Sequence, residues 1–153
     1  MPTDSEVQDA PLAEIDPVTL YRILALRSAV FVVEQDCVYL DPDGLDRHAW
    51  HLLGRDGEGV LRAYLRVVDP GRKYDVPSIG RVVTNPDQRG TGLGHALMAE
   101  GLRRCEDIWP ARANRIGAQA HLQRFYSRHG YVADGEIYIE DDIPHIEMER
   151  PAK

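Results

Sequence analysis

The chain has 153 residues, of which 43% are hydrophobic, and this fits one domain with its own core. The formal net charge of −7 argues against nucleic acid as the main partner, because phosphate binding relies on basic surface, and it is compatible with a cationic substrate. The sequence has no apolar run of membrane-spanning length, and its acidic N-terminus is unlike a signal peptide, so we expect a cytoplasmic protein without a membrane partner.

The N-terminal segment, residues 1–16, is polar and has no clear periodicity. We expect it to be partly disordered or to hold one weak strand, and we expect a single domain over 17–150. Pro17 suits a first helical turn with Asp16 as its N-cap. Helical spacing follows from Leu20, but the β-branched run in 30–33 weakens the helix prediction there.

The remaining elements follow from apolar periodicity and turn residues. Strands are predicted over 48–54, 60–68, 79–84, 116–120, 131–132, 136–139 and 145–148. Three- and four-residue spacing predicts a helix over 93–105, and a short helix over 121–129 is closed by Gly130. This order indicates a mixed α/β domain with a βαβ-like centre.

A glycine-rich turn lies between the strand at 79–84 and the next helix and reads Arg89-Gly90-Thr91-Gly92-Leu93-Gly94. Such a turn directs several backbone N–H groups at one point, where the helix dipole adds positive charge, so a pyrophosphate is the expected ligand. The dinucleotide pattern G-x-G-x-x-G fails, because its third position falls on His95 or Leu97. The Walker A pattern fails because the chain has no Gly-Lys-Ser or Gly-Lys-Thr. A structural turn without a ligand is the alternative.

A second segment, 119–131, follows a short strand and carries Tyr126 shortly before the pair Gly130-Tyr131. Together with the R-x-x-G-x-G turn, it resembles the GNAT superfamily of N-acetyltransferases. Segments 26–35, 116–121 and 142–146 resemble the ElaA branch of that superfamily. The resemblance runs from about Leu20 to Arg150.

The resemblance implies a mostly antiparallel central sheet with a splayed parallel strand pair and flanking helices. It implies an acetyl-CoA-dependent N-acetyltransferase, with no metal, in which Tyr126 is the general acid that protonates the leaving CoA thiolate. The pantetheine arm would run beside Val82 and Val83, and Gln119 would contact the cofactor. The residues implied to hold the pyrophosphate are Arg89, Gly90, Thr91, Gly92, Leu93 and Gly94.

The strand before the glycine turn carries no Asp or Glu, where relatives often have one, so the general base lies elsewhere or the substrate amine arrives already neutral. Glu34 is the first candidate, since it lies in the segment expected to border the acceptor cleft. His121 and His145 are the other candidates, because imidazole titrates near neutral pH. A surface charge for Glu34 and structural roles for both histidines are the alternatives.

Two patterns resemble metal-binding motifs, but neither has the arrangement that a metal site requires. His48 and His51 lie three apart on a predicted strand and therefore face opposite sides. The turn with Asp41, Asp43 and Asp46 lacks the glutamate of a calcium loop, so we expect a solvated turn that, with 140–142, attracts a cationic acceptor. Cys37 and Cys105 are expected to be free thiols.

The sequence thus predicts direct acetyl transfer to an amine acceptor, either a small molecule or a peptide. The alternative is a non-catalytic CoA-binding or sensing module on the same fold. A homodimer through the late strands is left open.

Overall fold

The computed structural model describes residues 6–153. Its strands are β1 Glu6–Pro11, β2 Ala49–Arg55, β3 Leu61–Val68, β4 Ser78–Thr84, β5 Asn114–Gln119, β6 Val132–Ala133, β7 Tyr138–Glu140 and β8 Ile143–Arg150. Its α-helices are α1 Pro17–Arg27, α2 Leu93–Ile108 and α3 Gln123–Ser127. Short 3-10 turns cover Leu12–Glu14, Asp46–His48, Pro86–Gln88 and Ala120–Leu122. No helix within 6–153 is both long enough and apolar enough to cross a membrane.

Helix α1 begins as the sequence predicts. Asp16 caps it by accepting a hydrogen bond from the Thr19 N–H at 3.0 Å, and Pro17 occupies the first turn. The helix does not continue regularly to residue 33. It widens into a π-helical segment over Ser28–Glu34, which contains the β-branched run and ends beside the candidate site.

The first sheet has the antiparallel order β1-β2-β3-β4. Strand β1 pairs with β2 from Glu6 to Pro11. Of the two expectations for the N-terminal segment, disorder or one weak strand, the strand is the one found over these residues. Residues 1–5 of that segment lie outside the described residues. Between β3 and β4 the register shifts at 64–66, and Arg81 on the opposite strand has a φ of +51°, which marks a β-bulge.

The second sheet has the order β5-β8-β6, and β7 also pairs with β8. Strands β4 and β5 meet only where they begin: the Arg115 N–H donates to the Pro77 carbonyl at 3.2 Å, and the Ile79 N–H donates to Asn114 Oδ1 at 3.4 Å. Both strands run away from this point, and within 6–153 no strand pairing joins their later residues. The two sheets therefore open into a wedge between Thr84 and Gln119.

Two apolar cores hold this wedge in place. Helix α2 packs on one face of the first sheet, and a Cβ added at Gly101 would lie 3.3 Å from Leu65 and 3.4 Å from Ile79, so the helix approaches closely here. Helix α1 covers the other face with Ile23. Because successive strand residues point to opposite faces, Val82 packs against the first core and Val83 lies in the second.

Candidate functional site

Two cavities meet at the open end of the wedge. The glycine-turn cavity, about 410 Å³, is lined by residues that include Thr84, Arg89 and Gly94. The loop cavity, about 570 Å³, is lined by residues that include Arg72 and Lys73 in the loop after β3. The side chains that line both cavities are Phe31, Gln35, Val82, Gln119, Leu122 and Tyr126.

Tyr126 lies on α3, where the two cavities join. Its ring is 8% exposed and packs edge-on against Phe125 and Tyr131, with ring centroids 5.1 and 5.9 Å apart. Burial raises the pKa of Tyr126 to about 12. The phenol therefore keeps its proton at neutral pH and is available as a proton donor.

The glycine turn joins β4 to α2. Gly90 and Gly92 have φ of +80° and +84°, and a Cβ at either would meet no atom within 4 Å, so both border open space. Gly92 is the N-cap of α2 and has no side chain to cap it, and the Thr91 hydroxyl accepts from the Leu93 N–H at 3.4 Å. The N–H groups of its first turn have no partner within the helix, and the helix dipole adds positive charge there. These features fit a pyrophosphate.

Gly94 differs from its two neighbours in the turn. It does not have a positive φ, and a Cβ there would lie at ordinary contact distance, 3.5 Å from Thr84 Cγ2 and 3.7 Å from Phe125. The pattern in the sequence does not separate these glycines. Only Gly90 and Gly92 are required by backbone conformation.

Arg89 and Glu34, both predicted as site residues, form an ion pair across the glycine-turn cavity. The Arg89 guanidinium donates to the two Glu34 carboxylate oxygens at 3.0 and 2.5 Å. Hydrogen bonding to Arg89 is the largest cause of a lowered pKa for Glu34. A carboxylate held in this way is a weak proton acceptor, so the structure does not favour Glu34 as a base.

Gln119 also has a partner that the sequence did not suggest. Its side-chain amide exchanges hydrogen bonds with that of Gln35, at 3.3 Å in each direction. Glu34 and Gln35 are adjacent at the end of the π-helical segment. They connect this segment to the glycine turn and to the end of β5, respectively, and so bridge the mouth of the wedge.

The two valines on β4 face different surroundings. Val82 lines both cavities, whereas Val83 is buried and borders only the glycine-turn cavity. The bulge at Arg81 turns the strand just before them.

The acidic turn at 41–46 is only partly solvated: residues 42–44 are exposed, as predicted, whereas Asp41 is buried, contrary to the prediction. Asp41 is 3% exposed and binds Arg27 and Arg81 at 2.8 and 2.9 Å. Asp43 and Asp46 both bind Arg66. Three aspartates thus neutralise three arginines from α1, β3 and β4, because charges at this depth need partners.

The two candidate histidines lie apart. His121 is exposed and borders the glycine-turn cavity, whereas His145 on β8 is buried and lines the loop cavity. His51 is buried between Tyr64 and the Asp46 carbonyl. Within 6–153 no three potential ligands come together as a metal site, and Cys37 and Cys105 are free and buried.

Comparisons with known proteins agree with this arrangement. The family model for the acetyltransferase (GNAT) domain matches residues 54–151. Protein ElaA of Escherichia coli is 42% identical over 147 residues, 95% of each chain, and a UPF0039 protein of Synechocystis is 42% identical over 135 residues, 88% of each chain.

Solved structures of related proteins are also similar to this chain. The crystal structure of E. coli ElaA matches with a TM-score of 0.88 at 41% identity and covers 95% of this chain and 99% of that one. An acyl-CoA N-acyltransferase from Pseudomonas aeruginosa matches with a TM-score of 0.90 at 45% identity, over 95% of this chain and 99% of that one. The mixed α/β fold is therefore the GNAT acyl-CoA N-acyltransferase fold, and the chain belongs to the GNAT acetyltransferase family, with ElaA among its relatives.

Proposed function

We propose that this protein transfers the acetyl group of acetyl-CoA to an amine, either a small molecule or a peptide. The observation that carries the proposal is the position of Tyr126, whose side chain lines both cavities at their junction. One cavity leads to a turn suited to a pyrophosphate, and the other leads to a polar space large enough for an acceptor.

The chain offers acetyl-CoA three kinds of contact. The N–H groups at Gly92 and the first turn of α2 would hold the pyrophosphate, together with the Arg89 side chain once Glu34 releases it. The edge of β4 at Val82 and Val83 would pair with the pantetheine amides, because β5 leaves that edge free. When bound, acetyl-CoA supplies an acetyl thioester whose C–S bond breaks as a C–N bond to the acceptor forms.

Tyr126 would supply the proton that the departing thiolate needs. A phenol that remains protonated at neutral pH is suited to this task when it lies close to the sulfur. The proton that the phenol gives up is replaced by one from the acylated nitrogen. The Gln35–Gln119 pair lies beside Tyr126 in the lining of both cavities and would help to exclude water there.

The proposal is tested by incubating the protein with acetyl-CoA and separate polyamine, amino sugar, amino acid and peptide acceptors. Thiol release and the mass of the acetylated product are measured together. Product formed by the wild-type protein and lost in Tyr126→Phe supports acetyl transfer. Tight binding of acetyl-CoA without product in any acceptor class would favour a non-catalytic CoA-binding module.

A further inference from the structure

His145 occupies the strand position directly beside Gln119. In the register of β5 and β8 these two residues are paired, and on the other side of β8 the partner of His145 is Tyr138. Paired residues on neighbouring strands project their side chains from the same face of the sheet. His145 therefore shares a face with Gln119, which lies at the junction of the cavities, and its own side chain lines the loop cavity.

A hydrogen bond sets the protonation pattern of the His145 ring. Nδ1 lies 2.7 Å from the carbonyl oxygen of Ile143. A carbonyl oxygen only accepts hydrogen bonds, so Nδ1 must carry the hydrogen, and the assignment follows from this geometry. In the neutral ring the lone pair is then on Nε2, the atom that accepts a proton.

A carboxylate stands near that nitrogen. Nε2 of His145 is 3.8 Å from Glu140 Oε2, and the Tyr138 ring stacks on the imidazole with centroids 5.8 Å apart. A negative charge at this distance attracts the positive charge that the ring carries once it has taken a proton. Glu140 is exposed, so it reaches the histidine from the solvent side of the cavity.

Other titratable and charged groups surround the loop cavity. Those that line it, element by element, are Cys37, Tyr39, Asp43, Arg66, Arg72, Lys73, Arg81, Tyr126, Glu140 and Asp141. Arg66 is neutralised by Asp43 and Asp46, and Arg81 by Asp41 and Asp43. Within 6–153, no salt bridge joins Arg72 or Lys73 to a carboxylate, and both cations line the same cavity as Glu140 and Asp141.

The rival bases are less well placed. Glu34 is bound to Arg89 through both oxygens and borders only the glycine-turn cavity. His121 is exposed and borders the same cavity. Of the three candidates, only His145 lines the loop cavity.

We propose that His145 is the general base of the reaction and that Glu140 is its positioning residue. The proposal rests on the function proposed above. Nε2 removes one proton from an ammonium acceptor in the loop cavity: the N–H bond breaks, its electron pair stays on the amine nitrogen, and an Nε2–H bond forms. Glu140 stabilises the resulting imidazolium, and the proton then passes to water.

The first test measures acetylation rates against pH for wild type, His145→Gln and Glu140→Gln, with His48→Gln as a control outside both cavities. A general base contributes about 10²–10⁴-fold, so His145→Gln should lose at least about 10²-fold at neutral pH and recover part of it at high pH, where the amine is already neutral. Glu140→Gln should lower the rate, and Glu140→Asp should restore part of it, because the negative charge beside the imidazolium returns. A merely structural role would give no such rescue.

The second test does not depend on activity. Nitrogen-15 spectra of histidine-labelled wild-type protein, without acetyl-CoA, should show His145 as the Nδ1–H tautomer. An Nε2–H tautomer overturns the proposal whether or not the protein is active, and it remains decisive if His145→Gln fails to fold.

Binding separates the failure of this proposal from that of the function. His145→Gln should bind acetyl-CoA as tightly as wild type by calorimetry. If His145→Gln acetylates at the wild-type rate while Tyr126→Phe does not, the base is wrong and the function stands. If wild type acetylates no amine, the proposed function fails and His145 loses its role with it.

Discussion

Arg89 donates hydrogen bonds to both carboxylate oxygens of Glu34, at 3.0 and 2.5 Å, across 55 positions of the chain. The pair ties the guanidinium to the π-helical segment, at the place where a pyrophosphate would need it. On the proposed function, a bound pyrophosphate and Glu34 would compete for one cation. The ion pair would then act as a latch that acetyl-CoA has to open.

Glu34→Gln should bind acetyl-CoA a few-fold more tightly than wild type, because Arg89 becomes free and one nearby negative charge is lost. Calorimetry at low and high salt measures this, and the gain should shrink with added salt. Glu100→Gln, which breaks an exposed ion pair with Arg103 on α2, is the matched control. Unchanged or weaker binding by Glu34→Gln would contradict the latch.

Tyr126→Phe should lower kcat by about 10²–10⁴-fold and leave the affinity for acetyl-CoA within about twofold of wild type. The reason is that only the proton donor is removed, while the ring still packs against Phe125 and Tyr131. Steady-state kinetics and calorimetry measure the two effects. Tyr21→Phe, at an exposed position on α1, is the control. A wild-type kcat for Tyr126→Phe would rule out its role as the acid.

Gly92→Ala should destabilise the protein by about 1–2 kcal/mol, because an L-residue resists a φ of +84°. It should also weaken acetyl-CoA binding, since the Cβ enters the space at the helix N-terminus. Gly59→Ala, in the turn between β2 and β3 with a φ of +80°, carries a similar strain away from both cavities. Comparable losses of affinity in the two variants would show that backbone strain is responsible, and not the loss of space for a pyrophosphate at the start of α2.

Arg27→Met should destabilise the protein by about 3–5 kcal/mol, because it leaves Asp41 and Asp46 with less compensation inside the fold. Urea denaturation measures the change. Arg103→Met, whose pairs with Glu100 and Asp107 are exposed, should change stability little. A small effect of Arg27→Met would mean that the ion pairs of Arg27 with Asp41 and Asp46 contribute little to the stability of the fold.

The stability should fall in acid partly through Asp43. Hydrogen bonds and charge attraction from Arg66 hold the pKa of Asp43 well below its usual value, despite opposing burial. The unfolded chain therefore takes up the proton first, near pH 3.9, and the stabilisation present above that pH is lost as the pH falls further. Urea denaturation at pH 7, 5 and 3 should give a positive slope that is smaller in Asp43→Asn. An equal slope in wild type and Asp43→Asn would show that Asp43 does not contribute to the loss of stability in acid.

Local signals in the sequence predicted local structure well. Asp16 and Pro17 mark the start of α1, and the break in helical character falls in the β-branched run, where the structure has π-helical turns. The glycine turn and its helix also lie where predicted. In each case a few neighbouring residues fix the backbone, so the sequence carries the information directly.

Contacts between distant segments could not be predicted in this way. The acidic turn looks solvated because the sequence does not show that Arg27, Arg66 and Arg81 converge on it. Gln35 and Gln119 lie 84 positions apart, and only the fold brings them together. Glu34 was selected as a base by its place in the chain, whereas its partner, Arg89, became visible only in three dimensions.

Calorimetric titration of acetyl-CoA into the wild-type protein and Gly92→Glu tests the central claim most directly. Wild type should bind one acetyl-CoA with micromolar affinity, and Gly92→Glu should not bind it, because a carboxylate then occupies the pyrophosphate position at the start of α2. Folded wild-type protein that binds neither acetyl-CoA nor CoA, or Gly92→Glu that binds as wild type does, would contradict the account.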